Sequence, residues 1–219
     1  NVAKSALGRR ATLALELGAD RSQYPATQTH INSVALLLAV AHAATDQPLA
    51  GFLAAARGAA EALETTLADS FARSEINLDP QAHLIFLARG PSLASARQAT
   101  LMVEEVAGGG AAALSAAEFR HGPIEIAGPA LQAVVIEPHG PTAALVENLA
   151  AELERAGARV IRIADARLGR GDFRHPAVAE ELAPVVNIAP AQALAYRAAV
   201  AAGRQPGVFL RAQSVTRVE

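Results

Sequence analysis

Glu105 and His121 are the side chains of this sequence best placed to do chemistry. A carboxylate and an imidazole beside an anion-binding loop form an acid/base pair, suited to moving a proton between neighbouring atoms. The loop in question is Arg89-Gly90-Pro91-Ser92. It follows an apolar run of strand length, 83–88, and precedes an alanine-rich stretch that reads as helix to about Val106. Between a strand's carboxyl end and a helix's amino end, free backbone N–H groups suit oxyanions. Arg89 and Ser92 suit phosphate there, and suit pairing with a local carboxylate equally. Glu105 is also an acid near a helix C-terminus, a mildly unfavourable place. Glu104 beside it is the same chemistry one position away and serves as a control.

The elements that must hold these residues alternate between strand and helix. Strands are expected at 83–88, 111–114, 132–136, 159–164 and 184–188. Helices are expected at 93–106, from a Thr142 cap to 156 with Gly157 closing it, and at 190–202. Such alternation implies a five-stranded parallel sheet covered on both faces, a three-layer α/β/α architecture. Upstream, two amphipathic helices are expected at 30–46 and 49–74, broken at Asp46-Gln47-Pro48. The segment 11–18 reads as part of a strand–loop–strand region, and 75–81 as a linker. Gly108-Gly109-Gly110 lacks nucleotide-loop spacing and reads as a connector. His42, His83, His139 and His175 lie in structural or exposed contexts.

Composition bounds the rest. The 219 residues are 52% hydrophobic and 18% charged, enough for a substantial core, with a net charge of −2. No global basic field draws the chain to nucleic acid or membrane. The most apolar run, 34–44, is too short to span a bilayer. There is no cysteine, which removes disulfides, thiolate nucleophiles and zinc–thiolate sites. That suits a cytoplasmic protein. The one lysine is Lys4, so a Schiff-base lysine elsewhere in this sequence is excluded. No metal site or cofactor is expected.

ARGPSLASARQATLMVEE followed by SAAEFRHGP resembles the second SIS (sugar isomerase) domain of the glucosamine-6-phosphate synthase family. There the pattern reads GRGPxxxxAxEGALKLKE and then AEFRHGP, with the same spacing from Glu105 to His121. GADRSQYPATQTHINS resembles a first-domain segment beside the sugar-phosphate site, which brings in Ala26 and Thr27, with Thr27 or Thr29 as a helix cap. The tail RAQSVTRVE resembles the family's tail, with Gln213 near the place of a lysine. The resemblance implies the end of a first SIS domain at 1–74, its upstream part absent, and a second SIS domain with its tail at 75–219. It further implies a hexose or amino-sugar 6-phosphate as ligand, and aldose–ketose isomerisation or deamination. Glu105 would move the proton and His121 would assist ring opening from a partner subunit of a homodimer. Arg89, Gly90, Ser92, Ala26, Thr27 and Gln213 would line the substrate.

Departures from the pattern keep a second reading open. Gln98 stands where the family has Glu, and Met102 where it has Lys. The Ser/Thr-rich SxSGxTxE phosphate loop of a first SIS domain is not found in the sequence, and no glutamine-hydrolysing domain is expected. In the family the tail lysine opens the sugar through a Schiff base, a route closed here. Carboxylate-driven proton transfer needs no lysine. The alternative is a non-catalytic phosphosugar-binding or regulatory SIS module.

Overall fold

The computed structural model describes residues 5–19, 25–45 and 47–211. Its centre is a sheet of five parallel strands: β1 (His83–Ala88), β2 (Ala111–Ser115), β3 (Leu131–Glu137), β4 (Arg159–Asp165) and β5 (Phe173–His175). Their order is β2-β1-β3-β4-β5. Register is fixed by pairs such as Leu84 with Ala111, His83 with Leu131, Gln132 with Arg159 and Ile163 with Phe173. The three-layer α/β/α architecture expected from the sequence is present.

The pleat assigns each strand residue to a face. Phe86, Ala88, Val134, Ile136 and Ile163 point to one side. There they meet α4 (Leu93–Met102) through Ala96 and Ala99, and α7 (Ala183–Ala201) through Ile188, Ala191 and Leu194. Ile85, Leu87, Ala133 and Val135 point to the other side. They meet α5 (Ala116–Phe119) through Phe119, and α6 (Ala143–Arg155) through Val146, Leu149 and Leu153. Upstream, α1 (Ala6–Arg10) is a single short turn, whereas α2 (Thr27–Ala44) and α3 (Leu49–Ala72) are long. They share a separate core with α7, in which Phe52, Ala59 and Ala62 pack on Leu182, Val185 and Val186.

Four expectations are corrected. The run at 184–188 is not a strand but the start of α7. A helix buried on nearly every side is apolar without periodicity, so a short window of it reads like a buried strand. The fifth strand is Phe173–His175, with Arg174 exposed between two buried residues. Residues 11–19 contain no strand; Leu17 instead accepts a hydrogen bond from Asn32 at 2.8 Å. Thr142 stands at the start of α6 but its hydroxyl makes no cap, and α2 begins at Thr27 without a side-chain cap. Gly157 does follow α6 with φ 88°.

Glu137 closes β3 fully buried, where Arg162 and Arg170 hold its two oxygens at 2.7 and 2.9 Å. Those arginines also reach Glu154 and Glu147 on α6, which ties that helix to the strand ends. Within α6 itself, burial separates two leucines: Leu149 is 0% exposed and Leu145 50%. Leu149→Ala should therefore cost about 2–5 kcal/mol of unfolding free energy. Leu145→Ala should stay within about 0.5 kcal/mol. Urea unfolding monitored by circular dichroism measures both, and equal losses would contradict this packing.

Candidate active site

Glu105 does not sit in regular α-helix. After Met102 the backbone widens into one π turn, Val103–Ala107, before Gly108 ends it in the left-handed region at φ 67°. The Gly108 N–H closes the turn on the Val103 carbonyl at 3.0 Å. Single π turns inside helices commonly mark functional positions, because they rotate side chains off the ordinary helical face. Val103 and Val106 are buried into the core, Glu104 is exposed and Glu105 is half-buried. Burial pushes the Glu105 carboxyl above its ordinary range, and the neighbouring Glu104 charge adds to the rise. Glu104 thus differs from Glu105 in environment, as a control should.

Two cavities flank the π turn. One, of about 430 Å³, is lined by Glu104, Glu105 and Gly108 and by Arg204, Phe209 and Arg211 of the C-terminal tail. The other, of about 260 Å³, is lined by Met102 and Val106 together with Thr27 at the start of α2, Gln192 and Tyr196 of α7, and Pro206. The tail therefore borders both cavities. Three segments distant in sequence, around 25–27, 102–108 and 204–211, meet at this one turn. Ala26 stands exposed immediately before α2, and Thr27 is its first residue. Gln213 lies outside the described residues.

The other expected site residues are elsewhere. Arg89, Gly90 and Ser92 sit at the opposite end of α4. At a rise of about 1.5 Å per residue, some 20 Å of helix separates them from Glu105. Ser92 is fully buried and accepts a hydrogen bond from Asn187 of α7 at 2.9 Å. A Cβ added to Gly90 would stand 3.4 Å from a Glu180 oxygen, and one added to Gly140 would collide with the same carboxylate. An acid thus occupies the crevice between the ends of β1 and β3, where a doubly wound sheet reverses its strand order and oxyanions commonly bind. Among the described residues Arg89 makes no ion pair with a carboxylate, and the hydroxyl of Ser92 is taken by Asn187.

His121 is exposed and lies on the α5 side of the sheet, whereas Glu105 lies on the α4 side. The sheet stands between them, so within one chain they are not the acid/base pair that their types suggested. The position of His121 is set by a capping box: Ser115 Oγ accepts the Glu118 N–H at 3.1 Å, and Glu118 accepts the Ser115 N–H at 2.9 Å. The S-A-A-E spacing carried that signal. Arg120 then pairs with Glu152 of α6 at 2.6 Å and anchors the turn.

Sequence reasoning missed Arg204. Its guanidinium packs against Gly108 so closely that any Cβ there would overlap it. Of the remaining histidines, His83 and His139 are exposed, and His42 is half-buried with its ring centre 4.8 Å from that of Phe52. His175 is buried with Nδ1 2.9 Å from the Pro176 carbonyl, and burial holds its pKa down. No group of three or more metal-ligating side chains occurs among the described residues, and no helix among them is long and apolar enough to cross a membrane.

Comparison with known proteins identifies the family and the fold. The glutamine–fructose-6-phosphate aminotransferase (isomerizing) of Pyrococcus horikoshii is 33% identical over 145 residues, covering 63% of this chain and 24% of that protein. The Acidithiobacillus ferridurans protein of the same name is 30% identical over 93% of this chain and 36% of its own length. The chain thus spans roughly a quarter to a third of these relatives. Among solved structures, glucosamine-6-phosphate deaminase from Thermotoga maritima superposes with a TM-score of 0.76 at 19% identity, covering 97% of this chain and 63% of that one. Tagatose-6-phosphate ketose/aldose isomerase from Escherichia coli gives 0.70 at 24% identity, covering 87% and 55%. At these identities the likeness shows the fold. The SIS domain model matches residues 77–202, more than half of the sequence, and with the parallel sheet and its helices in place the chain belongs to the SIS domain family.

Proposed function

We propose that this chain is the isomerase-type part of a phosphosugar enzyme, with Glu105 as the base that moves a proton between C1 and C2 of an open-chain hexose or hexosamine 6-phosphate. The observation that carries this reading is the convergence of α2, the π turn and the tail on two cavities flanking that turn, one of them lined by the half-buried Glu105 carboxyl. A raised pKa suits a general base, because a stronger base abstracts a weakly acidic C–H proton more readily. The relatives named for fructose 6-phosphate, glucosamine 6-phosphate and tagatose 6-phosphate support the substrate class. Residues 1–74 are the closing part of a preceding SIS domain, and Ala26 and Thr27 face the sugar from that side. Gln213 would approach from the tail. The protein works as a cytoplasmic homodimer without a cofactor. The lack of lysine at Met102 and in the tail favours one rival, a phosphosugar-binding module without turnover.

Solvent deuterium incorporation into fructose, glucose and glucosamine 6-phosphates separates the two. Glu105→Gln should reduce exchange by about 10²–10⁴ while sugar-phosphate affinity, measured by calorimetry, stays nearly constant. Wild-type binding with no exchange would establish the binding module instead.

The base must be ionised to act, so activity should fall as pH drops through the Glu105 pKa. That acid limb should lie above the ordinary glutamate range, because burial and Glu104 both raise it. Glu104→Gln removes one of the two causes and should shift the limb of the kcat/KM profile to lower pH. An unmoved limb would show that another group controls it.

The opposed faces of Glu105 and His121 give the dimer its purpose: His121 completes the partner subunit's site. Glu105→Gln and His121→Ala proteins, each impaired alone, should regain activity when mixed and allowed to exchange subunits. No recovery despite subunit exchange would refute action across the interface.

A further inference from the structure

The isomerase reading leaves one chemical requirement unmet by a carboxylate. Removing a proton beside a carbonyl creates negative charge on that oxygen, and a preorganised cation or hydrogen-bond donor must meet it. Lysine is unavailable in this role outside Lys4, which lies outside the described residues. The cavity at Glu105 nonetheless has cationic walls, Arg204 and Arg211. They differ in how they are held. Arg211 is exposed, whereas Arg204 is half-buried. The Arg204 backbone N–H is tied to the Ala199 carbonyl at 2.9 Å, just beyond α7, and its guanidinium lies against Gly108. Gly108 holds a positive φ and leaves no space for a Cβ, so both its backbone and its bare Cα are needed for this approach. Among the described residues the guanidinium has no carboxylate partner, unlike Arg162, Arg167 and Arg170, which are all ion-paired. A guanidinium fixed by packing, free of a counter-ion and lining the same cavity as the base is preorganised for an oxyanion.

We propose that Arg204 is the electrophile of this site, stabilising the enediolate oxygen formed when Glu105 removes the proton. The assignment rests on the isomerase reading above. In the aldose-to-ketose direction Glu105 takes the proton from C2. The C2–H electron pair becomes the C1=C2 bond, and the carbonyl pair moves onto O1, where Arg204 donates N–H hydrogen bonds to the anion. The O2 hydroxyl proton then passes to O1 as the C2 carbonyl forms. The C1=C2 pair meanwhile takes the proton back from Glu105 at C1. No oxidant or further reactant is needed. Guanidinium forms no Schiff base, so Arg204 serves proton transfer in the open-chain sugar and not amine exchange.

The test uses the full chain and two probes, fructose 6-phosphate and the hydroxamate of phosphoarabinonic acid, which mimics the enediolate. Arg204→Gln should lower deuterium exchange by about 10²–10³, the loss typical of one oxyanion donor. Hydroxamate affinity should fall far more than fructose 6-phosphate affinity, and Arg204→Lys should restore part of both. Should Arg204→Gln lower the thermal midpoint, Arg204→Lys decides through the ratio of the two affinities, which a packing role would leave unmoved. Unchanged exchange in Arg204→Gln, or equal loss of both affinities, would overturn the assignment while leaving Glu105 as base. A wild type that binds the sugar phosphate without exchange would overturn the isomerase reading and this one with it.

Discussion

The helix α7 is the member on which the other elements depend. Its residues are buried almost all the way round, so it is shared between two cores. Ile188, Ala191, Leu194 and Ala195 complete the sheet's α4 side, and Val185 and Val186 complete the α2–α3 core. Polar contacts fix its position as well as apolar ones. Ser95 donates to the Pro184 carbonyl at 3.2 Å and Asn187 donates to Ser92. Arg197 donates to the Ile76 and Ser70 carbonyls near 3 Å. Pro190 within it removes one backbone donor, and burial of the surrounding side chains offsets the missing hydrogen bond. The tail leaves from the end of this helix, so placement of Arg204 relative to Glu105 follows from the seating of α7 between its two cores.

Much of this was legible because short parallel strands and helices punctuated by Gly and Pro repeat a plain pattern. The strands β1 to β4 and the helix α6 fell where composition and turn chemistry put them, with ends shifted by at most a residue, whereas α4 starts as expected but gives way to the π turn after Met102. The failures have separate physical causes. The 184–188 run is apolar because it is enclosed, and enclosure erases the period that distinguishes a helix from a strand. The three residues of β5 are too few to show a period, and Arg174 between them reads as loop. The motif that singles out Glu105 was legible, but the π turn in which it lies was not. That turn ends on Gly108, against which an arginine almost a hundred positions downstream packs, a pairing invisible to any local window.

The site also shows why residue types alone mislead about partnership. Glu105 and His121 are near in sequence and follow one another around the edge strand β2, yet the strand carries the chain from one face of the sheet to the other. The crossover direction reverses at β2, which puts α4 and α5 on opposite faces, so closeness in sequence here implies separation in space. The loop at Arg89–Ser92 makes the complementary point. It has the position of an oxyanion site, but the Glu180 carboxylate and the burial of Ser92 give it a structural neighbour in place of an open cradle.

The alanines of α4 and α7 have a consequence for how the molecule changes through evolution. Ala96, Ala99, Ala191, Ala195 and Ala199 are fully enclosed. Their small size sets the spacing between the helices and the sheet, so each added methylene would have to displace an entire layer. Such an interior resists gradual change at nearly every position. Residues 203–211 carry a lighter constraint, since all of them are exposed or half-buried and several border the cavity. New ligand preferences in chains of this kind are therefore expected to arise by rewriting the segment at 204–211, with the layered body inherited unchanged.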